Sequence, residues 1–90
     1  MIVTQAVLEC QVKIINRITN SPMISYTKTD SGCKANVGNY HLDYAYGGVK
    51  LVQICTDGGG ITEISRNGYG TKRELYYWMD AFITGLGVEL

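Results

Sequence analysis

Ninety residues carry eight basic and eight acidic side chains, for a formal net charge of zero, and 46% are hydrophobic. A neutral chain lacks the field that drives most non-specific nucleic-acid binding, so a duplex-binding module is disfavoured. A chain of this length is expected to form one domain with a modest core, and no stretch approaches the roughly 20 apolar residues of a membrane span.

Residues 2–19 contain two periodicities. Val3, Val7, Cys10, Ile14 and Ile18 fall on one helical face with Leu8 and Ile15 beside it, while Gln5, Glu9, Lys13, Asn16 and Asn20 fall opposite. Leu8, Cys10, Val12 and Ile14 also alternate with Glu9, Gln11 and Lys13, and the β-branched content suits a strand. The length of the pattern and the Asn20-Ser21-Pro22 stop select a helix.

Short extended runs follow. A strand is expected at 24–29, closed by Asp30-Ser31-Gly32, and a second at 35–46, where Tyr40, Leu42, Tyr44 and Tyr46 alternate with Asn39, His41, Asp43 and Ala45. Gly47-Gly48 supplies a two-residue hairpin turn. The nearly continuous apolar run at 49–56 reads as a central strand. Asp57-Gly58-Gly59-Gly60 turns the chain into a further strand at 61–65, and a loop from Arg66 to Gly70 leads to the last element.

That last element begins at a capping box, Thr71 with Glu74. Leu75, Trp78, Met79, Phe82, Ile83 and Leu86 then recur at the spacing of one broad apolar stripe, and Gly85 stands where a left-handed cap is expected, with Gly87 after it. The single Trp and the single Phe both lie in this stripe, so the core is expected to be built on this helix. The fold class is α+β: an N-terminal helix, a three- to four-stranded antiparallel meander and a C-terminal helix, with both helices on one face of the sheet.

The TNSP that follows the first amphipathic segment, the run YAYGGVKLVQI and the ending TKRELYYWMDAFITGL together resemble small open reading frames of tailed bacteriophages and prophages. The resemblance spans most of the chain and carries no catalytic motif. It implies a bacterial cytoplasm during infection and a host protein as partner, with an anti-defence role as its sharpest form.

Gly68-Tyr69-Gly70-Thr71-Lys72-Arg73 is a glycine-rich turn opening a helix, with Arg66 just before it, and such a turn offers amides and positive charge to a phosphate or carboxylate. The Walker A spacing is missing, and Thr71 and Glu74 compete for the same amides, so a capped helix with solvated basic side chains is the plainer reading. Residues 57–60 form a second glycine-rich loop, read as a hairpin connection rather than an anion nest.

His41 is the only histidine, and Asp43 shares its strand face, an arrangement that would let the carboxylate orient the imidazole for Cys33 or Cys55. No nucleophile signature accompanies them, and no catalytic residue is assigned. Cys10, Cys33 and Cys55 are an odd number without metal-ligand spacing, which fits reduced thiols and no metal or other cofactor.

Seven tyrosines are too many to bury in so small a domain. Tyr40 and Tyr44 fit the core beneath the last helix; Tyr26, Tyr46, Tyr69, Tyr76 and Tyr77 are candidates for an interface, where tyrosine combines a large apolar ring with a polar tip. The expected function is non-enzymatic binding and modulation of a host protein through this surface by a self-associating chain. The alternatives are a binder of a nucleotide or similar phosphorylated metabolite at Arg66 to Arg73 and a nucleic-acid accessory protein.

Overall fold

The computed structural model describes residues 2–66 and 68–88, so Asn67 of the expected loop lies outside the described residues. The chain forms two helices and five short strands: α1 (Gln5–Ile18), β1 (Tyr26–Thr29), β2 (Gly32–Ala35), β3 (Tyr40–Ala45), β4 (Gly48–Ile54), β5 (Ile61–Glu63) and α2 (Lys72–Val88). The α+β class holds. Among the described residues no helix is long and apolar enough to cross a membrane.

The opening segment is a helix, and its ends show why. The Thr4 hydroxyl accepts the Val7 amide at 3.3 Å as an N-cap. At the other end Asn20 adopts φ 57°, the Ser21 amide returns to the Asn16 carbonyl at 2.8 Å and the Asn20 amide to that of Arg17 at 3.2 Å. This is a Schellman stop in which Asn supplies the left-handed residue.

The face expected to be buried on α1 is not the buried one. Leu8, Gln11, Val12, Ile15 and Asn16 point inward, whereas Cys10, Ile14 and Ile18 are exposed. Two amides decide the rotation. Asn16, expected outside, is buried because its side chain bonds the backbone of Tyr40 in both directions, and Gln11 donates to the Tyr76 carbonyl at 3.0 Å.

The single meander resolves into two sheets. The run 35–46 breaks at Asn36 to Asn39, where the Asn39 amide bonds the Asn36 carbonyl and Gly38 takes φ 99°. β2 takes only Ala35 from that run and begins at Gly32, inside the expected turn; it pairs antiparallel with β1 as a separate hairpin, and the part of the run after the break is β3, in the antiparallel order β3-β4-β5. Asn39 anchors the break: it is buried, donates to the Pro22 carbonyl at 2.7 Å and accepts from Ser25 at 2.9 Å.

β4 is central, as its composition predicts, and is buried along both faces. Val49 and Leu51 close the main core with Leu8, Val12 and Ile15 of α1 and with Leu75 and Met79 of α2. Trp78, Phe82 and Ile83 pack against that cluster, so the α2 stripe is positioned as its spacing predicts. Helix α2 runs on through Gly85 and Gly87 instead of stopping at a glycine cap. The apolar positions Phe82, Ile83 and Leu86 flank Gly85 on the half-buried side, which favours continuing the turn.

Candidate functional site

Of the residues singled out between 66 and 73, Arg66, Tyr69, Gly70 and Thr71 meet the tip of the β3-β4 hairpin, and Lys72 lines a separate cleft beside it. Ala45 pairs with Gly48, so the two turn residues are Tyr46 and Gly47, with φ 54° and 75°, rather than Gly47 and Gly48. Both central positions of this turn require positive φ, which is why Asn, Asp and Gly dominate it. Tyr46 is an L residue with a bulky ring in that conformation, and it is 97% exposed. Its ring meets the edge of Tyr69, with centroids 5.7 Å apart.

Gly48 is needed for a different reason. A Cβ there would come within 2.9 Å of both the Gly70 carbonyl oxygen and the Tyr69 Cβ. The absent side chain lets Tyr69 and Gly70 lie against β4, where Val49 and Gly70 exchange amide-to-carbonyl bonds of 2.9 and 3.0 Å.

Four charged or polar side chains fasten this loop. The Lys50 ammonium donates to Glu63 at 2.6 Å and lies 4.4 Å from the centre of the Tyr69 ring. Glu63 also accepts the Gly68 amide at 2.9 Å, and the Tyr69 hydroxyl donates to Asp43 at 2.8 Å. The Gly68 amide, with Lys50 second, holds the Glu63 carboxyl below its usual range. The bond to Glu63 raises Lys50, and the bond to Asp43 raises the Tyr69 phenol. Sequence reasoning passed over Lys50 and Glu63. The signal was a lysine within an apolar central strand, since a buried ammonium demands a partner.

The capping box is formed as predicted. The Glu74 amide donates to the Thr71 hydroxyl at 3.1 Å, and the Thr71 amide donates to Glu74 at 3.0 Å. The Thr71 amide first, and the Thr71 hydroxyl second, hold the Glu74 carboxyl below its usual range, and Arg66 pairs with the same carboxylate at 3.4 Å. The amides of Gly68, Gly70, Thr71 and Glu74 are therefore all bonded within the chain. Arg66, Lys72 and Arg73 supply the positive charge nearby; Lys72 reaches a second cleft with Gln5 and Tyr44. Beside the loop lies a cavity of about 460 Å³ with Leu75 and Trp78 as its apolar wall and Arg66 and Glu74 among its polar lining.

The remaining tyrosines do not join the tip pair through ring contacts. Tyr76 and Tyr77 stack edge to face on α2 with centroids 5.3 Å apart, and the Tyr26 hydroxyl lies against Gly59. Tyr44, expected in the core, is 40% exposed and lines the cleft with Gln5 and Lys72 instead.

Around His41 the contacts are structural. Its Nδ1 faces the Asn39 side-chain oxygen at 3.2 Å, and burial lowers its pKa, with Asp43 opposing. Asp43 accepts from Tyr69. Cys55 donates its thiol to the Gly60 carbonyl at 3.3 Å, and Cys33 stands on the β1-β2 hairpin. In the loop at 57–60, Thr56 accepts the amides of Gly59 and Gly60 through its carbonyl and its hydroxyl.

Comparison with protein-family models, with curated protein sequences and with solved structures finds no match to this chain.

Proposed function

We propose that the protein is a non-enzymatic binding module that docks on a partner protein through the hairpin tip, with Tyr46 as its anchor and Tyr69 beside it. The observation that carries this reading is the conformation of Tyr46. Its ring is almost wholly in solvent and its backbone sits in a region unfavourable to a bulky L residue, so neither burial nor local propensity accounts for a tyrosine there. Exposed rings of few rotors are typical energetic centres of interfaces. The likeness to tailed-phage reading frames supports a bacterial host protein as the partner and modulation of that protein as the outcome.

Replacing Tyr46 by Asn tests this directly, because Asn suits the turn and lacks the ring. Stoichiometric capture of one bacterial protein by the wild type, lost in Tyr46→Asn with an unchanged circular dichroism spectrum, is the expected result. Equal capture by both removes the anchor role.

The cavity beside Trp78 favours a second reading, a small ligand such as a nucleotide or phosphorylated metabolite, since its volume falls in the range of small-molecule sites. Trp78 is the only tryptophan, so its fluorescence reports occupancy. A nucleotide panel that neither shifts this emission nor raises the melting temperature eliminates that reading.

A further inference from the structure

The cavity beside Trp78 is divided by its chemistry. Val49, Leu75 and Trp78 give it an apolar wall, while Ser65, Arg66, Thr71 and Glu74 stand in its polar lining. Gly70 leaves room for the guanidinium, because a Cβ there would come within 2.7 Å of the Arg66 Nη1.

Counting protons shows what the polar side lacks. The Ser65 Oγ accepts the Leu51 amide at 3.0 Å, and the Thr71 Oγ1 accepts the Glu74 amide at 3.1 Å. A hydroxyl that accepts through its oxygen still has a proton to give, and neither proton meets an acceptor among the described residues. Arg66 donates from Nη1 to Glu74 at 3.4 Å and keeps most of its N–H groups unspent. Glu74 has no such surplus, since one oxygen accepts the Thr71 amide and the other Arg66. The lining therefore has donors to spare, and its one carboxylate is already shared.

That imbalance calls for an acceptor, and charge selects which one. The Arg66-Glu74 pair is long and half exposed, so it is worth little, and a ligand can take the open nitrogens of Arg66. A carboxylate adds one negative charge beside Glu74, whereas a phosphate monoester adds nearly twice that against a single guanidinium.

We propose that this cavity binds an amphipathic monocarboxylate, its carboxylate held by Ser65, Arg66 and Thr71 and its apolar body laid against Val49, Leu75 and Trp78. The proposal rests on the reading of the cavity as a small-molecule site and exchanges the phosphate for a carboxylate. The amides at the helix entrance take no part, being bonded within the chain.

Titration of the whole chain with phenylpropanoate, phenylpropanol and phenylpropylamine, followed by the Trp78 indole resonance and the backbone amide shifts, provides the test. The three share one apolar body and differ in charge. The acid should bind with a dissociation constant on the order of 1 mM, as so small a ligand allows, and the amine at least about tenfold more weakly. Shifts should centre on Leu75 and Trp78. Two variants should move the affinity for the acid in opposite directions: Arg66→Gln weakens it by about tenfold, and Glu74→Gln, which keeps an acceptor for the Thr71 amide, tightens it by about threefold. The comparison of the three ligands needs no variant, so a misfolded Arg66→Gln leaves it standing. An acid that has not bound by about 20 mM overturns the proposal, as does an amine or alcohol bound as tightly as the acid. So do shifts centred on Tyr44 and Lys72, which line the neighbouring cleft. A nucleotide panel run alongside separates the two claims: binding of a nucleotide but not of the acid keeps the cavity a ligand site and overturns the carboxylate, and binding of neither overturns both.

Discussion

The side chain of Asn16 pairs with the backbone of Tyr40 as a neighbouring strand would: its Oδ1 accepts the Tyr40 amide at 2.8 Å and its Nδ2 donates to the Tyr40 carbonyl at 3.0 Å. Tyr40 opens β3, the outer strand of its sheet, so a helix residue closes the start of an edge that otherwise invites another chain. Asn16 is 2% exposed, and its loss strands both backbone groups. Asn16→Leu should cost about 2 kcal/mol in denaturant unfolding. Asn16→Asp keeps the acceptor but sets a carboxylate oxygen against the Tyr40 carbonyl, so it should be no better at neutral pH. A near-neutral Asn16→Leu would mean that the pair adds nothing to stability.

Tyr46 gives the opposite sign. Its φ of 54° is a position where Asn or Gly relieves strain, and the ring buries almost nothing in exchange. Tyr46→Asn should raise stability by about 1 kcal/mol, partly offset by the lost edge contact with Tyr69. Thermal unfolding of the variant beside the wild type reads the difference. A destabilised Tyr46→Asn would show the ring to be holding the tip together, and would remove the argument that it is kept for a partner.

Thr71→Ala removes the hydroxyl that accepts the Glu74 amide, at an expected cost of about 1 kcal/mol, whereas Thr71→Ser should behave as wild type. Equal stability of Thr71→Ala and Thr71→Ser in urea would show the cap to be redundant with the tertiary packing of α2.

That cap and the stripe behind it were legible because both are local: the residues that satisfy one another lie three or four positions apart. The Asn20 stop was legible for the same reason. The inward face of α1 was not, since it is chosen by Asn16 and Gln11, whose partners Tyr40 and Tyr76 lie 24 and 65 residues further on. Until those amides are placed, Val7, Cys10 and Ile14 make as regular a stripe as Leu8, Val12 and Ile15. The break at 36–39 inside the expected strand 35–46 escaped for a related cause, because Asn39 looks like one more alternating polar residue until its bonds to Pro22 and Ser25 are known. At the tip the doubled glycine drew the turn one residue too late, and only the register of Ala45 with Gly48 shows that Tyr46 takes part in it. The candidate residues around Arg66 to Arg73 were legible as a helix entrance; the Lys50-Glu63 pair that fixes the loop before it was visible only as a misplaced charge.

Acid should loosen this loop before it unfolds the core. Glu63 and Glu74 both have pKa values lowered from 4.5, each chiefly by a backbone amide, of Gly68 and Thr71 respectively. A carboxyl lowered on folding contributes stability that is fully present above its unfolded value and lost as pH falls through its folded value. The unfolded chain then binds more protons than the folded one, so stability declines in the window below about pH 4.5. His41 is also lowered, from 6.5, by burial, which adds a shallower decline as pH falls below about 6.5. The two sources separate by substitution. Glu63→Gln keeps an acceptor for the Gly68 amide but loses the charge facing Lys50, so the variant should be less stable at pH 7 and lose less on going to pH 3.5. His41→Gln should flatten only the upper part of the profile. Amide exchange at Gly68 and Gly70, followed beside that of Leu51, localises the effect: the loop amides should speed up at a higher pH than the amide of the buried strand once the intrinsic pH dependence is removed. Loop and core amides that lose protection together would mean that the carboxylates secure the whole fold rather than a loop against the hairpin tip.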